Sequence, residues 1–118
     1  MKNERVLVAD DQDTVQQGIK SILEAFGPED GHKIVGQASS VSEVEELLNG
    51  GLRPTVALVD GNFPNRGDGK KAAEIIRRLS PETRIIAFST DPQDYGDEQW
   101  NKHMSGRELT VMLTNLQH

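Results

Sequence analysis

Val56-Ala57-Leu58-Val59-Asp60-Gly61-Asn62-Phe63-Pro64-Asn65-Arg66-Gly67-Asp68-Gly69 is the stretch on which the fold turns. Four apolar residues read as a buried strand. An acid closes it, and Gly, Asn and Pro then read as a turn. A carboxylate at the C-terminal end of a buried strand sits where open α/β sheets hold their ligands. A second stretch, Val6-Leu7-Val8-Ala9-Asp10-Asp11, repeats the pattern. If the two strands are neighbours in one parallel sheet, Asp10, Asp11 and Asp60 converge at one edge.

Three carboxylates that close repel one another, and one would be driven to protonate. A divalent cation removes that penalty. Mg²⁺ takes oxygen ligands, usually one or two carboxylates with waters and phosphate oxygens. Helix capping accounts for one acid, but not for an adjacent pair plus a third on another strand. The constellation therefore predicts a hard metal ion and, beyond it, a phosphoryl group.

Outward from these two strands, apolar runs alternate with helix-period segments, the order of βα units around a parallel sheet. The first strand is Arg5–Ala9. Residues 13–26 follow as a helix with Val15, Ile19, Ile22, Leu23 and Phe26 on one face. Gly27-Pro28-Glu29-Asp30-Gly31 is expected to break it. A second, weaker strand covers Lys33–Ala38. Ser42 with Glu45 reads as a capping box opening a helix through Val44, Leu47 and Leu48, which Asn49-Gly50-Gly51 stops. Residues 55–59 form the third strand. Asp68 caps a helix over 70–79, with Ala73, Ile76 and Leu79 inward, and Ser80-Pro81 ends it. Residues 84–88 form the fourth strand, which delivers Ser89 and Thr90 to the edge that bears the acids. Ser105 with Glu108 opens a last helix with Leu109, Met112, Leu113 and Leu116 apolar.

Residues 91–99 break the rhythm. A parallel crossover usually takes about a dozen residues or more, mostly as helix. Here only nine residues, with Pro92 and Gly96 among them, precede Trp100. They read as an acidic loop, expected to be among the most mobile segments and to leave the sheet face there covered poorly or by a partner, and 100–104 as a short edge strand with no β-branched residue.

The chain has 118 residues, enough for one domain over 1–118. With no internal linker or repeat, any further domain is expected on a separate polypeptide. It has no cysteine, which excludes disulfides and thiolate metal sites. No apolar stretch is long enough for a signal peptide or membrane span, so a cytoplasmic protein without membrane contact is expected. A net charge of −6 argues against a nucleic-acid surface. Much of the excess lies in Asp91, Asp94, Asp97 and Glu98. None of the three histidines shows ligand spacing, and His32 and His118 read as exposed. Trp100 reads as packing.

Taken together, these residues resemble the receiver domain of two-component response regulators. Asp10-Asp11 is similar to that family's acidic pair, Asp60 to its phosphoacceptor, and Phe63-Pro64 with Gly67-Asp68-Gly69 to the loop after it. Ser89 lies where the family has Thr or Ser, and Lys102 where it has its lysine. Lys33-Ile34-Val35-Gly36-Gln37-Ala38-Ser39 resembles the second strand of regulators that carry a helix-turn-helix output domain. The resemblance implies a flavodoxin-like (CheY-like) doubly wound parallel α/β sheet, with the helix between the fourth and fifth strands shortened or missing. It implies that Asp60 takes a phosphoryl group from a sensor histidine kinase or phosphotransfer protein. Asp10, Asp11, Asp60 and the Asn62 carbonyl would hold Mg²⁺, and Lys102 and Ser89 would contact phosphoryl oxygens. The domain would act as a phosphoacceptor rather than a turnover enzyme, and signal to a downstream protein that the sequence does not name.

The chain also departs from that pattern. His103 replaces the proline after the lysine, and Gln99 stands at the aromatic position three before it. Thr90 replaces a small residue and should narrow access to Asp60. The loop after Asp60 is one residue longer. Without the usual helix the family's dimer face is incomplete, so a monomer or a dimer by another surface is expected. Two rivals remain at this point. One is a binding module of the same fold that never carries phosphate. The other is a haloacid-dehalogenase-type phosphatase, since Asp11-Gln12-Asp13-Thr14-Val15 fits its signature with Asp11 as nucleophile and Asp13 as acid/base.

Overall fold

A computed structural model describes residues 4–30 and 32–116, with 26–30 described by backbone alone. The inward placement of Phe26 and the exposure of His118 lie outside the described side chains. Five parallel strands form one sheet in the order β2-β1-β3-β4-β5. They are β1 (Arg5–Ala9), β2 (Lys33–Ala38), β3 (Val56–Val59), β4 (Arg84–Ser89) and β5 (Glu98–Asn101). The helices are α1 (Asp13–Asp30), α2 (Val41–Asn49), α3 (Asp68–Leu79) and α4 (Gly106–Thr114). β1 and β3 are neighbours, with Ala9 opposite Val59, so the acids that follow them leave the sheet side by side.

Alternation along the strands divides the core. Leu7, Ala9, Ala57, Val59, Ile85 and Ala87 face α2 and α3. Val6, Val8, Val56, Leu58, Ile86 and Phe88 face α1 and α4. Successive strand residues point to opposite faces, and both faces are covered, which is why the inner strands read as unbroken apolar runs.

Several boundaries differ from the sequence reading. α1 continues through Gly27-Pro28 to Asp30; a proline forfeits its own amide bond and need not end the last turn. α2 begins two residues earlier than expected. Ser40, not Ser42, accepts from the Glu43 amide, and the Glu43 carboxylate accepts from the Ser39 amide. The sequence holds two overlapping Ser-x-x-Glu matches, and the earlier one packs Val41 on the core beside Val44 and Leu48. Asp68 is the first residue of α3 rather than its cap; its Oδ2 accepts from the Asn65 amide at 3.0 Å and closes the turn behind it. β5 starts at Glu98, two residues before Trp100, and ends just before Lys102.

His32 is buried, at 4% exposure, against the expectation of a surface residue. Its Nδ1 accepts from the Glu4 amide at 3.0 Å and its Nε2 lies 3.0 Å from Thr114 Oγ1, so it ties β1 to α4. Trp100 is buried in the α1–α4 core and donates through Nε1 to Glu98.

No helix connects β4 to β5. The segment instead runs as a strap along the β4 edge. The Asp97 amide donates to the Ile85 carbonyl at 2.7 Å, and the Ile85 amide donates to Asp97 Oδ2 at 2.8 Å. Arg77 of α3 donates to the Tyr95 carbonyl at 2.6 Å and lies 3.9 Å from Asp97. Gly96 passes so close to β4 that a Cβ there would lie 2.7 Å from the Ala87 nitrogen. Tyr95 is buried in the α2–α3 core, and Ile85 and Ala87 are fully covered. The sequence led us to expect a poorly covered face; it is instead buried, with Tyr95 part of the cluster that covers it.

Candidate functional site

The site is assembled from the C-terminal ends of β1, β3 and β4 and the residue after β5. The Asp10 amide is fixed by the Ala38 carbonyl and the Asp60 amide by the Ala9 carbonyl, each at 2.9 Å. Gln16 of α1, buried, donates to the Asp10 carbonyl at 2.6 Å. These backbone anchors set the directions in which the acids leave the sheet.

Among the described residues, Asp10, Asp11 and Asp60 form the one group of acids able to hold a metal ion, with a ligand oxygen from each within 4.8 Å of the others. Asp10 is 1% exposed, Asp60 half-buried and Asp11 exposed. Asp13 opens α1 and is not in the group. Lys102 reaches in from the far edge of the sheet. Its Nζ lies 2.7 Å from Asp10 Oδ2, 3.3 Å from Asp60 Oδ2 and 3.2 Å from Gln12 Oε1. The Lys102 amide donates to the Ser89 carbonyl at 3.2 Å, continuing the β4–β5 pairing by one residue. The lysine therefore reaches both acids with His103, not proline, after it.

Burial, reinforced by the Asp10 charge, pushes the Asp60 carboxyl up from its ordinary value against the pull of Lys102. Burial alone would lower Lys102, but its bond and charge pairing with Asp10, then Asp60, outweigh that and leave it raised. Tyr95 is raised by burial first, then by the Asp60 and Asp10 charges.

Three carboxylates and one ammonium fit a divalent oxygen-seeking cation. Asp10 Oδ2 is buried and faces the Lys102 ammonium at 2.7 Å. Carboxylate oxygens of this kind are hard donors and suit Mg²⁺. The cleft, of about 490 Å³, is lined by Asp11, Gln12, Asp60, Asn62, Thr90, Lys102 and His103, with Val15 and Pro64. It is a shallow polar basin, of a size for a cation and a small anionic group.

The sequence expectations meet different outcomes here. Asp10, Asp11, Asp60, Asn62 and Lys102 come together. Thr90 lines the basin, as a gatekeeper would. Ser89 is buried and its hydroxyl donates to the Asp91 carbonyl, so it is near the basin without lining it. Gln12, Gln16 and Tyr95 were not singled out. Tyr95 stands beneath Asp60: its hydroxyl donates to the Val59 carbonyl, and its ring packs on Gly69, where a Cβ would meet Tyr95 Cζ at 2.8 Å and the Asp60 carbonyl at 2.5 Å. Only glycine allows α3 to begin that close to Asp60.

A doubly wound parallel sheet with an acidic, lysine-spanned basin at its C-terminal edge defines a small group of α/β domains. The chain belongs to the response regulator receiver domain family, whose model matches residues 6–112. It is 37% identical over 90 residues to the response regulator GacA of Pseudomonas protegens, and 36% over 90 residues to that of Pseudomonas viridiflava. Each match covers 76% of this chain but 40% of the relative, so the chain spans well under half the length of those curated proteins. Among solved structures it resembles a LuxR-family two-component response regulator from Aurantimonas sp. SI85-9A1, at TM-score 0.77 and 20% identity, covering 95% of this chain and 83% of that one. It also resembles the response regulator domain of Thermotoga maritima CheB, at TM-score 0.75 and 23% identity, covering 99% and 100%. Both likenesses support the flavodoxin-like fold. No described helix is long and apolar enough to cross a membrane.

Proposed function

We propose that this receiver domain accepts a phosphoryl group on Asp60 from a phosphohistidine on a sensor histidine kinase or phosphotransfer protein. The Asp60 carboxylate oxygen attacks phosphorus, a P–O bond forms, the P–N bond breaks, and the imidazole leaves and takes up a proton. The observation that carries this reading is Asp60 at the mouth of the basin with Lys102 Nζ 3.3 Å from its Oδ2 and Asp10 and Asp11 beside it.

Asp10, Asp11 and Asp60, with the Asn62 carbonyl, would hold Mg²⁺, which supplies charge neutralisation for the transferring phosphoryl oxygens. Lys102 supplies a second, fixed positive charge in a partly desolvated position, where it is worth more than in water. Ser89 would add a hydrogen bond after its hydroxyl turns from the Asp91 carbonyl into the basin. Asp60 is the group that becomes covalently modified, and no second nucleophile is needed, so the domain acts as an acceptor that a downstream protein reads.

Intact mass after incubation with acetyl phosphate and Mg²⁺ tests the reading. Wild type should gain one phosphoryl group and Asp60→Asn none. Equal labelling of the two would sink it. A second reading, a protein-binding module of this fold that carries no phosphate, rests on the Ser89 hydroxyl being engaged with Asp91. Mg²⁺-dependent capture of a beryllofluoride mimic separates the two: the acceptor binds it, the module does not.

A further inference from the structure

The third acceptor of the Lys102 ammonium is a neutral amide. Lys102 Nζ has three N–H groups and three oxygens around it: Asp10 Oδ2, Asp60 Oδ2 and Gln12 Oε1. We propose that Gln12 is a positioning residue that keeps Lys102 over the basin while the two carboxylates change partners. The inference rests on the phosphoacceptor reading, and it concerns a residue that reading does not use.

Asp10 and Asp60 cannot serve Lys102 throughout the transfer. Asp60 must give its oxygen to phosphorus, and Asp10 would serve as a ligand of Mg²⁺. Gln12 Oε1, 3.2 Å from the ammonium, is the third oxygen bonded to it, and it has neither task. An uncharged amide accepts an ammonium N–H without adding a fourth negative charge to the basin, so it holds the lysine without holding back its move toward a phosphoryl oxygen.

Gln12 is well placed for this. Its amide donates to Asp10 Oδ1 at 2.9 Å, and its carbonyl accepts from the Val15 and Gln16 amides at 3.1 and 3.2 Å. Its backbone is thus locked between the buried acid and the start of α1, and only the side chain is free to follow the lysine. On the other side, Lys102 follows the edge strand β5 and is succeeded by the exposed His103. Beyond its amide bond to Ser89, Lys102 meets the two acids and Gln12 through its ammonium. A contact 90 residues apart in sequence replaces local stiffness near the lysine.

The test is a double-mutant cycle with two readouts. Phosphorylation by acetyl phosphate at saturating Mg²⁺ is timed by intact mass for wild type, Gln12→Ala, Lys102→Ala and the double variant. Gln12→Ala should slow wild type about fivefold, the size of one hydrogen bond, and add nothing in the Lys102→Ala background. Gln12→Glu keeps an acceptor but adds the fourth negative charge, so it should also be slowed while still holding the lysine; a Gln12→Glu rate equal to wild type would overturn the claim that the acceptor must be neutral. The same slowing in both backgrounds would assign Gln12 to helix α1 rather than to Lys102 and overturn the proposal, as would no slowing at all. Gln12→Met keeps side-chain length without the acceptor and replaces Gln12→Ala if that variant does not fold. The second readout needs no phosphate: the ¹H–¹⁵N signal of the Lys102 ammonium in metal-free protein. It should be broadened or lost in Gln12→Ala and kept in Gln12→Glu; a signal unchanged in Gln12→Ala overturns the proposal. If wild type takes no phosphoryl group, the acceptor reading fails, and the ammonium signal still decides whether Gln12 holds the lysine.

Discussion

The Tyr95 hydroxyl donates its hydrogen bond to the carbonyl of Val59, the residue immediately before Asp60. A loop that lacks helical structure is thereby fastened to the strand that carries the acceptor. Together with the Arg77–Tyr95 and Asp97–Ile85 bonds, this contact pins the segment against the sheet where a helix would otherwise lie.

Removing the hydroxyl and removing the ring should therefore differ. Tyr95→Phe should cost about 1 kcal/mol of stability, the net worth of one hydrogen bond. Tyr95→Ala should cost about 3–5 kcal/mol, because it opens a cavity above Gly69 and Val59. Urea unfolding measures both. Equal losses would show that the bond, not the packing, is what matters.

Hydrogen exchange should divide the strap. The sequence suggested that all of 91–99 is mobile. The Asp97 amide, bonded to the Ile85 carbonyl, should exchange slowly, and those of Asp91 and Asp94, both exposed, quickly. Uniformly fast exchange across the segment would contradict the pinned geometry.

Asp60 sets a pH dependence. Burial and Asp10 raise its carboxyl from the ordinary value of 3.8. A carboxyl raised on folding binds its proton more tightly in the folded chain. Ionising it opposes folding, so its contribution improves as pH falls through the raised value and is unfavourable above it. In metal-free buffer near neutral pH, Asp60→Asn should melt above wild type, and the gap should close as pH falls toward about 4. Mg²⁺ at ten times its Kd should stabilise wild type by about 1.4 kcal/mol and Asp60→Asn by less at the same concentration. Differential scanning calorimetry reads both effects. A variant that melts below wild type at every pH would reverse the sign.

Asp11 and Asp13 lie two residues apart and should behave differently. Asp11→Asn removes a member of the acid group, whereas Asp13 belongs to the first turn of α1. Calorimetric titration should find Mg²⁺ affinity reduced about tenfold or more in Asp11→Asn and by less than about twofold in Asp13→Asn. Similar losses in both would remove Asp11 from the ligand set. The same comparison bears on the phosphatase alternative, which needs Asp13 in the chemistry.

Thr90 lines the basin beside Asp60. Thr90→Ala should speed phosphorylation by acetyl phosphate, or loss of the phosphoryl group, about two- to tenfold by widening the approach, an effect of about 0.5–1.4 kcal/mol on the barrier. Unchanged rates in both directions would show that Thr90 does not gate the site.

The acids were legible in the sequence because each follows an unbroken apolar run, and such runs have one reading in a parallel sheet. The missing helix was legible from length: 91–99 is too short, and carries Pro92 and Gly96. What replaces the helix was not. A loop residue has no periodicity, so nothing but its lone aromatic character distinguished Tyr95. His32 was misread for a similar reason: a single histidine beside Gly31 looks like turn, and its burial depends on α4, which arrives more than seventy residues later. β5 was displaced by two residues because Glu98-Gln99-Trp100-Asn101 buries one side chain fully, too few to reveal a period. Gln12 gave no signal at all, since its partner is fixed only when the two sheet edges are assembled.

The sheet order distributes the chemistry unevenly. β1 and β3, which end in the acids, are each paired on both sides, whereas β5, which ends at Lys102, is paired on one. A strand held by a single ladder has fewer backbone bonds to break in a sub-global fluctuation than one paired on both sides. Were β5 to detach, the Lys102 ammonium would leave with it, and the carboxylates would stay on the inner strands, unneutralised and open to metal. The two halves of the site thus belong to cooperative units of different persistence, and a partner that grips or frees the outer unit would tune the reactivity of the inner one without touching it.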